Sequence, residues 1–206
     1  MHEMDELLNV VDKLLSPEGC PWDRVQTLSS IRHSLLEETC ETIDAIDSGD
    51  SAHIREELGD VFFNVVFLCR LAEKEGHCTL GDVIKELTGK LVSRHPHVFG
   101  ASSASSWDEL AEQWEKIKSQ EKGKDQRKSV LEGIPKSLPA LARAQKILKK
   151  LKKVGVDQDL NENPTTNEDQ IGEELLEIVL KANEQEVEAE LALRKIIEKI
   201  ERKYEK

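Results

Sequence analysis

Aromatic residues are scarce in this sequence. Of its 206 residues only 4% are aromatic, namely four Phe, three Trp and one Tyr. Strands favour aromatic and β-branched side chains, whereas Glu, Lys and Leu, which abound here, favour helices. The composition therefore predicts an all-α protein and argues against a β-sandwich or β-barrel.

Cysteine pairs, long apolar runs and a leader peptide are also missing. The four cysteines form no CxxC pair, and His95, His97 and the His77-Cys78 pair lack the spacing of a tetrahedral zinc site. No stretch approaches the roughly 20 apolar residues of a membrane span. The acidic, amphipathic amino terminus is unlike a secretory signal. We therefore expect a cytoplasmic protein with reduced thiols and no membrane partner.

The charge is negative overall but unevenly spread. The net charge is −12, although residues 122–153 hold eleven Lys and Arg against two acids. This balance argues against stable nucleic-acid binding, and the Leu/Ala stripe in the basic segment favours a helix packed on the rest of the protein. Acidity outside that segment fits either a carboxylate cluster that binds cations or an ordinary solvated surface.

Proline is absent between Trp22 and His95, which leaves room for long helices. Apolar periodicity, caps and breakers divide the chain into segments 1–120, 121–155 and 156–206. Helices are predicted over residues 4–15, 27–47, 51–74, 79–95, a stretch that begins at 106, and then 139–154, 168–184 and 187–204.

The predicted helix over 51–74 is apolar on nearly every side. Residues 61–72 read VFFNVVFLCRLA and hold three of the four Phe. Such a helix must be buried almost all round, and one small module has few neighbours to cover it. The pattern favours a homodimer or higher oligomer of helical bundles, with the central helix of a monomer as the alternative.

Two pairs of acids fall on facing helices. Glu38 and Glu41, like Glu57 and Asp60, are three residues apart and share a helix face. The short loop at 48–50 predicts antiparallel packing, which places both pairs at matching heights. Asn64 extends the stripe, and we expect Asp60 to lie where water begins to be excluded.

Four converging carboxylates would repel one another unless cations neutralise them. A site with oxygen ligands alone favours Mg²⁺ or Mn²⁺ over zinc. Substrate phosphates commonly complete the coordination shell of Mg²⁺. The alternative is that Glu-rich helices produce these spacings by chance and that the acids are solvated.

Cations and an aromatic follow further along the chain. Lys90 and Arg94 lie one turn apart at the end of a predicted helix and suit phosphate oxygens, although they also suit an exposed helix terminus. Trp107 could stack on a nucleotide base or pack its own helix.

Four segments together resemble the MazG family of nucleoside triphosphate pyrophosphohydrolases, within the all-α NTP pyrophosphatase superfamily. The family's acid motif corresponds to Glu37-Glu38-x-x-Glu41 and Glu57-x-x-Asp60. The other segments are Gly19–Asp23 with Gln26-Thr27, Arg94–Gly100 and Gly133–Lys146.

The resemblance implies an antiparallel helical bundle completed by dimerisation, and hydrolysis of an NTP to the monophosphate and pyrophosphate in nucleotide-pool housecleaning. It implies Mg²⁺, with Mn²⁺ as a possible substitute. The resemblance implies Glu38, Glu41, Glu57 and Asp60 as metal ligands and Lys90 and Arg94 at the nucleotide phosphates. We further predict Glu37, Glu38 and Glu41 as the catalytic acids, and Asn64 and Trp107 at the substrate.

The chain departs from the family pattern in two places. Residues 156–206 look like an eroded second module, because Glu173-Glu174-x-x-Glu177 has no EExxE segment ahead of it. We therefore expect activity in residues 1–120, followed by a basic linker and helix over 121–155. Leu28 stands where the family often has His. Alternatives are a narrower dUTP or dCTP pyrophosphatase and a non-catalytic helical interaction module.

Overall fold

The computed structural model describes residues 2–100, 106–120, 129–156 and 166–204. Within these ranges the protein is all-α, and none of its helices is long and apolar enough to cross a membrane. The helices are α1 (His2–Leu15), α2 (Pro21–Arg24), α3 (Leu28–Ser48), α4 (Ser51–Lys74), α5 (Leu80–Arg94), α6 (Pro96–Phe99), α7 (Trp107–Ser119), α8 (Ala140–Lys153), α9 (Asn167–Glu184) and α10 (Ala189–Tyr204).

The eight predicted helices are confirmed, and two short ones were not anticipated. α2 and α6 begin at Pro21 and Pro96, which the sequence pattern marks as helix breakers. Proline is well suited to the first turn of a helix, where its missing N–H has no intrahelical partner. The same residue type thus ends one helix and begins the next.

The chain divides into two compact units, residues 1–118 and 119–206. Unit 1 has a core in which α1, α3 and α4 meet. Its buried side chains are Val11, Ile31, Val66, Phe67 and Leu71. Those of α4 recur at helical spacing, so one face of that helix is in the core.

The turn between α3 and α4 makes these helices an antiparallel hairpin. Gly49 ends α3 in the left-handed region, with φ of 73°. Asp50 then caps α4, because its Oδ1 accepts a hydrogen bond from the backbone N–H of Ala52 at 2.8 Å. This turn brings Glu57 of α4 close to Glu38 and Glu41 of α3, whereas Asp60 lies outside their group.

The expectation that α4 is buried almost all round is met only over part of its length within a single chain. Leu58, Phe62 and Val65 remain between 42% and 53% exposed, so the stretch from 58 to 65 has an open side, whereas none of the residues 66–72 is exposed. The physical reason is that the rest of unit 1 covers residues 66–72 and leaves one side of the preceding turns open.

Unit 2 is built from α8, α9 and α10 around a small core. Leu148, Val179 and Ala189 are buried there. Gln145, 2% exposed, donates to Asn183 Oδ1 at 3.1 Å and to the Val187 carbonyl at 2.8 Å, and its Oε1 accepts from the Ala189 N–H at 2.8 Å. Unit 2 lacks Phe and Trp, and the hydrogen bonds of the buried Gln145 amide help to stabilise it.

Candidate metal centre

Carboxylates from α3 and α4 meet at one place in unit 1. One carboxylate oxygen from each of Glu38, Glu41 and Glu57 lies within 4.8 Å of the other two. The three residues differ in exposure, since Glu57 is buried, Glu38 is half-buried and Glu41 is exposed. The packing of α3 on α4 therefore gathers acids that are up to nineteen positions apart in the sequence.

Thr42 fixes the relative height of the two helices at this point. Its Oγ1 lies 2.8 Å from the carbonyl oxygen of Glu38 and 3.3 Å from that of Glu57. The side chain thus links the backbone of an acid on α3 to the backbone of an acid on α4. This contact joins the two helices at the level of the carboxylates.

Within the cluster, the pKa of Glu38 is raised. Partial burial, and then the negative charges of Asp60, Glu41 and Glu57, raise the pKa of Glu38 above its ordinary value. A hydrogen bond with Glu41 acts in the same direction. Asp60 is therefore close enough for its charge to reach Glu38, although it is exposed. The expectation that Asp60 lies at the edge of the water-excluded region is wrong, and Glu57, one turn earlier, is the buried acid.

Two buried oxygens on α4 have no hydrogen-bond partner among the residues that the structure describes. They are Glu57 Oε2 and Asn64 Oδ1. The residues are 8% and 3% exposed, and an unsatisfied buried oxygen of this kind costs about 1–3 kcal/mol. Asn64 uses its other polar atom, Nδ2, to donate to the Asp60 carbonyl at 3.1 Å. An unpaired buried carboxylate oxygen beside two further carboxylates fits a hard divalent cation.

The spacing of the cluster agrees with that assignment. Two oxygens on opposite sides of one Mg²⁺ lie about 4.2 Å apart. The 4.8 Å bound on Glu38, Glu41 and Glu57 is close to that value. Within the four ranges that the structure describes, no second group of three or more such ligands occurs. The acids Glu173, Glu174 and Glu177 of α9 are therefore not gathered with further ligands there.

The remaining candidate residues lie in other surroundings. Glu37 is exposed, and its Oε2 is 3.7 Å from Nδ1 of His33. Lys90 pairs with Glu86 on its own helix at 2.7 Å. The Arg94 guanidinium lies 5.3 Å from the centre of the Trp114 ring, and Trp107 is 82% exposed. The roles assigned to these four residues in substrate binding and catalysis stay predictions.

Two neighbours of the cluster were not singled out from the sequence. One is Thr42, for which the sequence gives no signal, because its two contacts depend on the packing of α3 against α4. The other is His53, whose Nε2 lies 3.2 Å from Glu57 Oε1. Its position four residues before Glu57 is the spacing of helix neighbours, and this signal could have identified it.

Comparisons with known proteins agree on one family. The model of the MazG nucleotide pyrophosphohydrolase domain matches residues 26–99, which include all four acids. A nucleoside triphosphate pyrophosphohydrolase of Escherichia coli is 38% identical over 99% of this chain and 86% of its own length. The nucleoside triphosphate pyrophosphohydrolase/pyrophosphatase MazG of Thermotoga maritima is 39% identical over 98% and 84%.

A solved structure supports the fold independently. The crystal structure of a MazG-related protein from Thermotoga maritima superimposes with a TM-score of 0.50 and 24% identity, over 56% of this chain and 99% of that chain. Because the relatives exceed 30% identity along nearly the whole sequence, and because three of the motif acids, Glu38, Glu41 and Glu57, converge on adjacent helices, this chain belongs to the MazG nucleotide pyrophosphohydrolase family.

Proposed function

We propose that this protein hydrolyses nucleoside triphosphates to the monophosphate and pyrophosphate in a Mg²⁺-dependent reaction. The observation that carries the proposal is the convergence of Glu38, Glu41 and Glu57, with a buried and unpartnered Glu57 oxygen. The printed names of the relatives supply the substrate class. Nucleotide-pool housecleaning in the cytoplasm is the corresponding cellular role, and the four free cysteines fit a reducing compartment.

The metal-binding residues in this proposal are Glu38, Glu41, Glu57 and Asp60. When bound, Mg²⁺ supplies charge that polarises phosphoryl oxygens and lowers the pKa of a coordinated water, and Mn²⁺ is a possible substitute. Asp60 is exposed beside the cluster, so it can take part from the solvent side.

The other assigned residues act on the substrate. Water adds to phosphorus, pyrophosphate leaves, and one acid among Glu37, Glu38 and Glu41 accepts the proton of the water. Lys90 and Arg94 donate hydrogen bonds to the phosphates, which requires Lys90 to leave Glu86. Asn64 Oδ1 is available as an acceptor, and the exposed Trp107 ring is available for stacking on a base.

Pyrophosphate release from a panel of NTPs tests this function. Canonical and modified ribo- and deoxynucleotides are offered at equal concentration, with Mg²⁺ and with EDTA. We expect release in Mg²⁺, a loss to background in EDTA, and recovery when excess Mg²⁺ or Mn²⁺ is added. Activity confined to dUTP or dCTP would favour the narrower pyrophosphatase. No release from any nucleotide, together with no nucleotide-dependent thermal shift, would favour a non-catalytic interaction module.

We also propose that unit 1 forms a homodimer or higher oligomer through the open side of α4 and α5. Large apolar side chains 42–54% exposed lie on both helices at helical spacing, namely Leu58, Phe62 and Val65 on α4, with Ile84, Leu87 and Leu91 on α5. Apolar surface of this extent on one side of a helical unit favours association.

Sedimentation analysis at several protein concentrations checks the assembly. We expect the mass of a dimer or a multiple of it, and dissociation when Phe62 is replaced with Glu, because a charge in an apolar interface is costly to bury. A monomeric mass for the wild-type protein at micromolar concentration would contradict the proposal.

A further inference from the structure

His53 stands one helical turn before the buried acid of the cluster. Its Nε2 lies 3.2 Å from Glu57 Oε1, within hydrogen-bonding reach. The His53 side chain is 43% exposed, whereas that of Glu57 is 10% exposed. The imidazole therefore approaches the carboxylate from the solvent side and contacts one of its two oxygens.

This pair differs from other His–carboxylate pairs of the same helical spacing. In the described part of the chain, His2 and Glu6 lie 3.1 Å apart, and His33 and Glu37 lie 3.7 Å apart. The carboxylates of those two pairs are 66% and 58% exposed, so water can replace the imidazole there. Glu57 is surrounded by protein, and its hydrogen-bond donors must come from neighbouring side chains.

The two oxygens of Glu57 are therefore in different states. Oε1 lies 3.2 Å from the Nε2 of His53, while Oε2 is buried and has no hydrogen-bond partner in the described part of the chain. A Glu side chain loses up to about 2 kcal/mol of rotamer entropy when it is held in one conformation. The contact of the imidazole with Oε1 holds the carboxylate before any ligand arrives and leaves Oε2 as the oxygen for a cation.

We propose that His53 is a positioning residue of the metal centre, which orients Glu57 through Oε1 so that Oε2 is presented to the cation. This inference rests on the proposed function, because it concerns the same site. Removal of a group that orients a metal ligand typically lowers the metal affinity by about 10- to 100-fold. The family's acid motif does not include this residue.

Calorimetric titration with Mn²⁺, without nucleotide, tests the role. The variants are His53→Ala, His53→Gln, Glu57→Gln and, as a control, His2→Ala, which removes an imidazole of equal spacing from an exposed pair. We expect H53A to weaken Mn²⁺ binding about 10-fold. H53Q, whose amide nitrogen can donate to the same oxygen, should stay within about twofold of wild type, and H2A should not change. Thermal unfolding in EDTA should be alike for wild type, H53A and H53Q.

The outcomes separate this role from the proposed function. The positioning role is overturned if H53A binds Mn²⁺ with wild-type affinity, or if H53Q binds Mn²⁺ as weakly as H53A. In either case the metal site itself is still supported, provided that E57Q abolishes Mn²⁺ binding. No Mn²⁺ binding by the wild-type protein overturns the metal site and the role of His53 together. Should H53A fail to fold, His53→Asn replaces it, because the shorter amide stops short of Oε1 and should bind Mn²⁺ as weakly as expected for H53A.

Discussion

Glu38→Gln is expected to lower kcat/KM for pyrophosphate release by at least about 100-fold. Removing a group that only orients a metal ligand costs about 10- to 100-fold, and loss of a ligand should cost more. Gln keeps the shape of the side chain but removes the charge at the centre of the cluster, where Asp60, Glu41 and Glu57 all act on Glu38. Steady-state kinetics at saturating Mg²⁺ measures the effect.

The stability of the metal-free E38Q protein should be equal to or greater than that of the wild type at pH 7. Since the pKa of Glu38 is raised on folding, the folded state binds the proton more tightly than the unfolded state. Ionisation of Glu38 therefore costs stability. This cost is absent below its unfolded pKa and develops as the pH rises through the folded pKa. Thermal unfolding in EDTA at several pH values checks the sign.

The matched control for E38Q is Glu177→Gln on α9. Glu177 belongs to the remnant acid motif of unit 2 and lies outside the carboxylate group of unit 1. We expect E177Q to keep wild-type kcat/KM. If E38Q were as active as the wild type, the site assignment would be wrong. An equal loss in E177Q would instead show that unit 2 contributes to catalysis.

Phe67→Ala is expected to lower the free energy of unfolding of unit 1 by about 3–5 kcal/mol. Phe67 is 1% exposed and packs in the core with Val11, Ile31 and Leu71, while its ring centre lies 5.4 Å from that of Phe63. The truncation removes apolar burial and leaves a cavity between three helices. A loss of this size is a large part of the stability of a typical domain.

Tryptophan fluorescence in urea isolates the effect on unit 1, because all three tryptophans of the chain lie in residues 1–118. The control is Phe99→Ala, since Phe99 is 63% exposed and its loss should cost less than about 1 kcal/mol. A loss below about 1 kcal/mol in F67A would mean that Phe67 is not in a packed core.

Local structure was largely predictable from the sequence. The hairpin of α3 and α4 follows from the breakers at 48–50, and Gly49 and Asp50 play the parts that their residue types favour. The three-residue spacing of Glu38 and Glu41 places them on one helix face whatever surrounds them. The shared face of each acid pair was therefore predictable before any packing was known, whereas the convergence of acids from α3 and α4 required the packing of these helices.

The short helices and the pairing of basic side chains were less predictable. Pro21 and Pro96 lie in the breaks between the longer helices and also begin short helices, and the sequence pattern indicates only the breaks. Lys90 contacts Glu86, one turn earlier on α5, although its charge alone suggested a phosphate partner. Several anionic groups can pair with a long flexible lysine side chain, and the sequence spacing does not show which of them it contacts.

Helical periodicity determined which acids, apolar residues and caps share a face, because that depends only on the 3.6-residue repeat of the chain itself. Tertiary structure alone decided which of those faces is covered. It made Glu57 rather than Asp60 the buried acid, and it left Phe62 and Val65 open within one chain. Burial depends on contacts with residues of other helices that are distant in sequence, and the local sequence pattern does not show which residues these are.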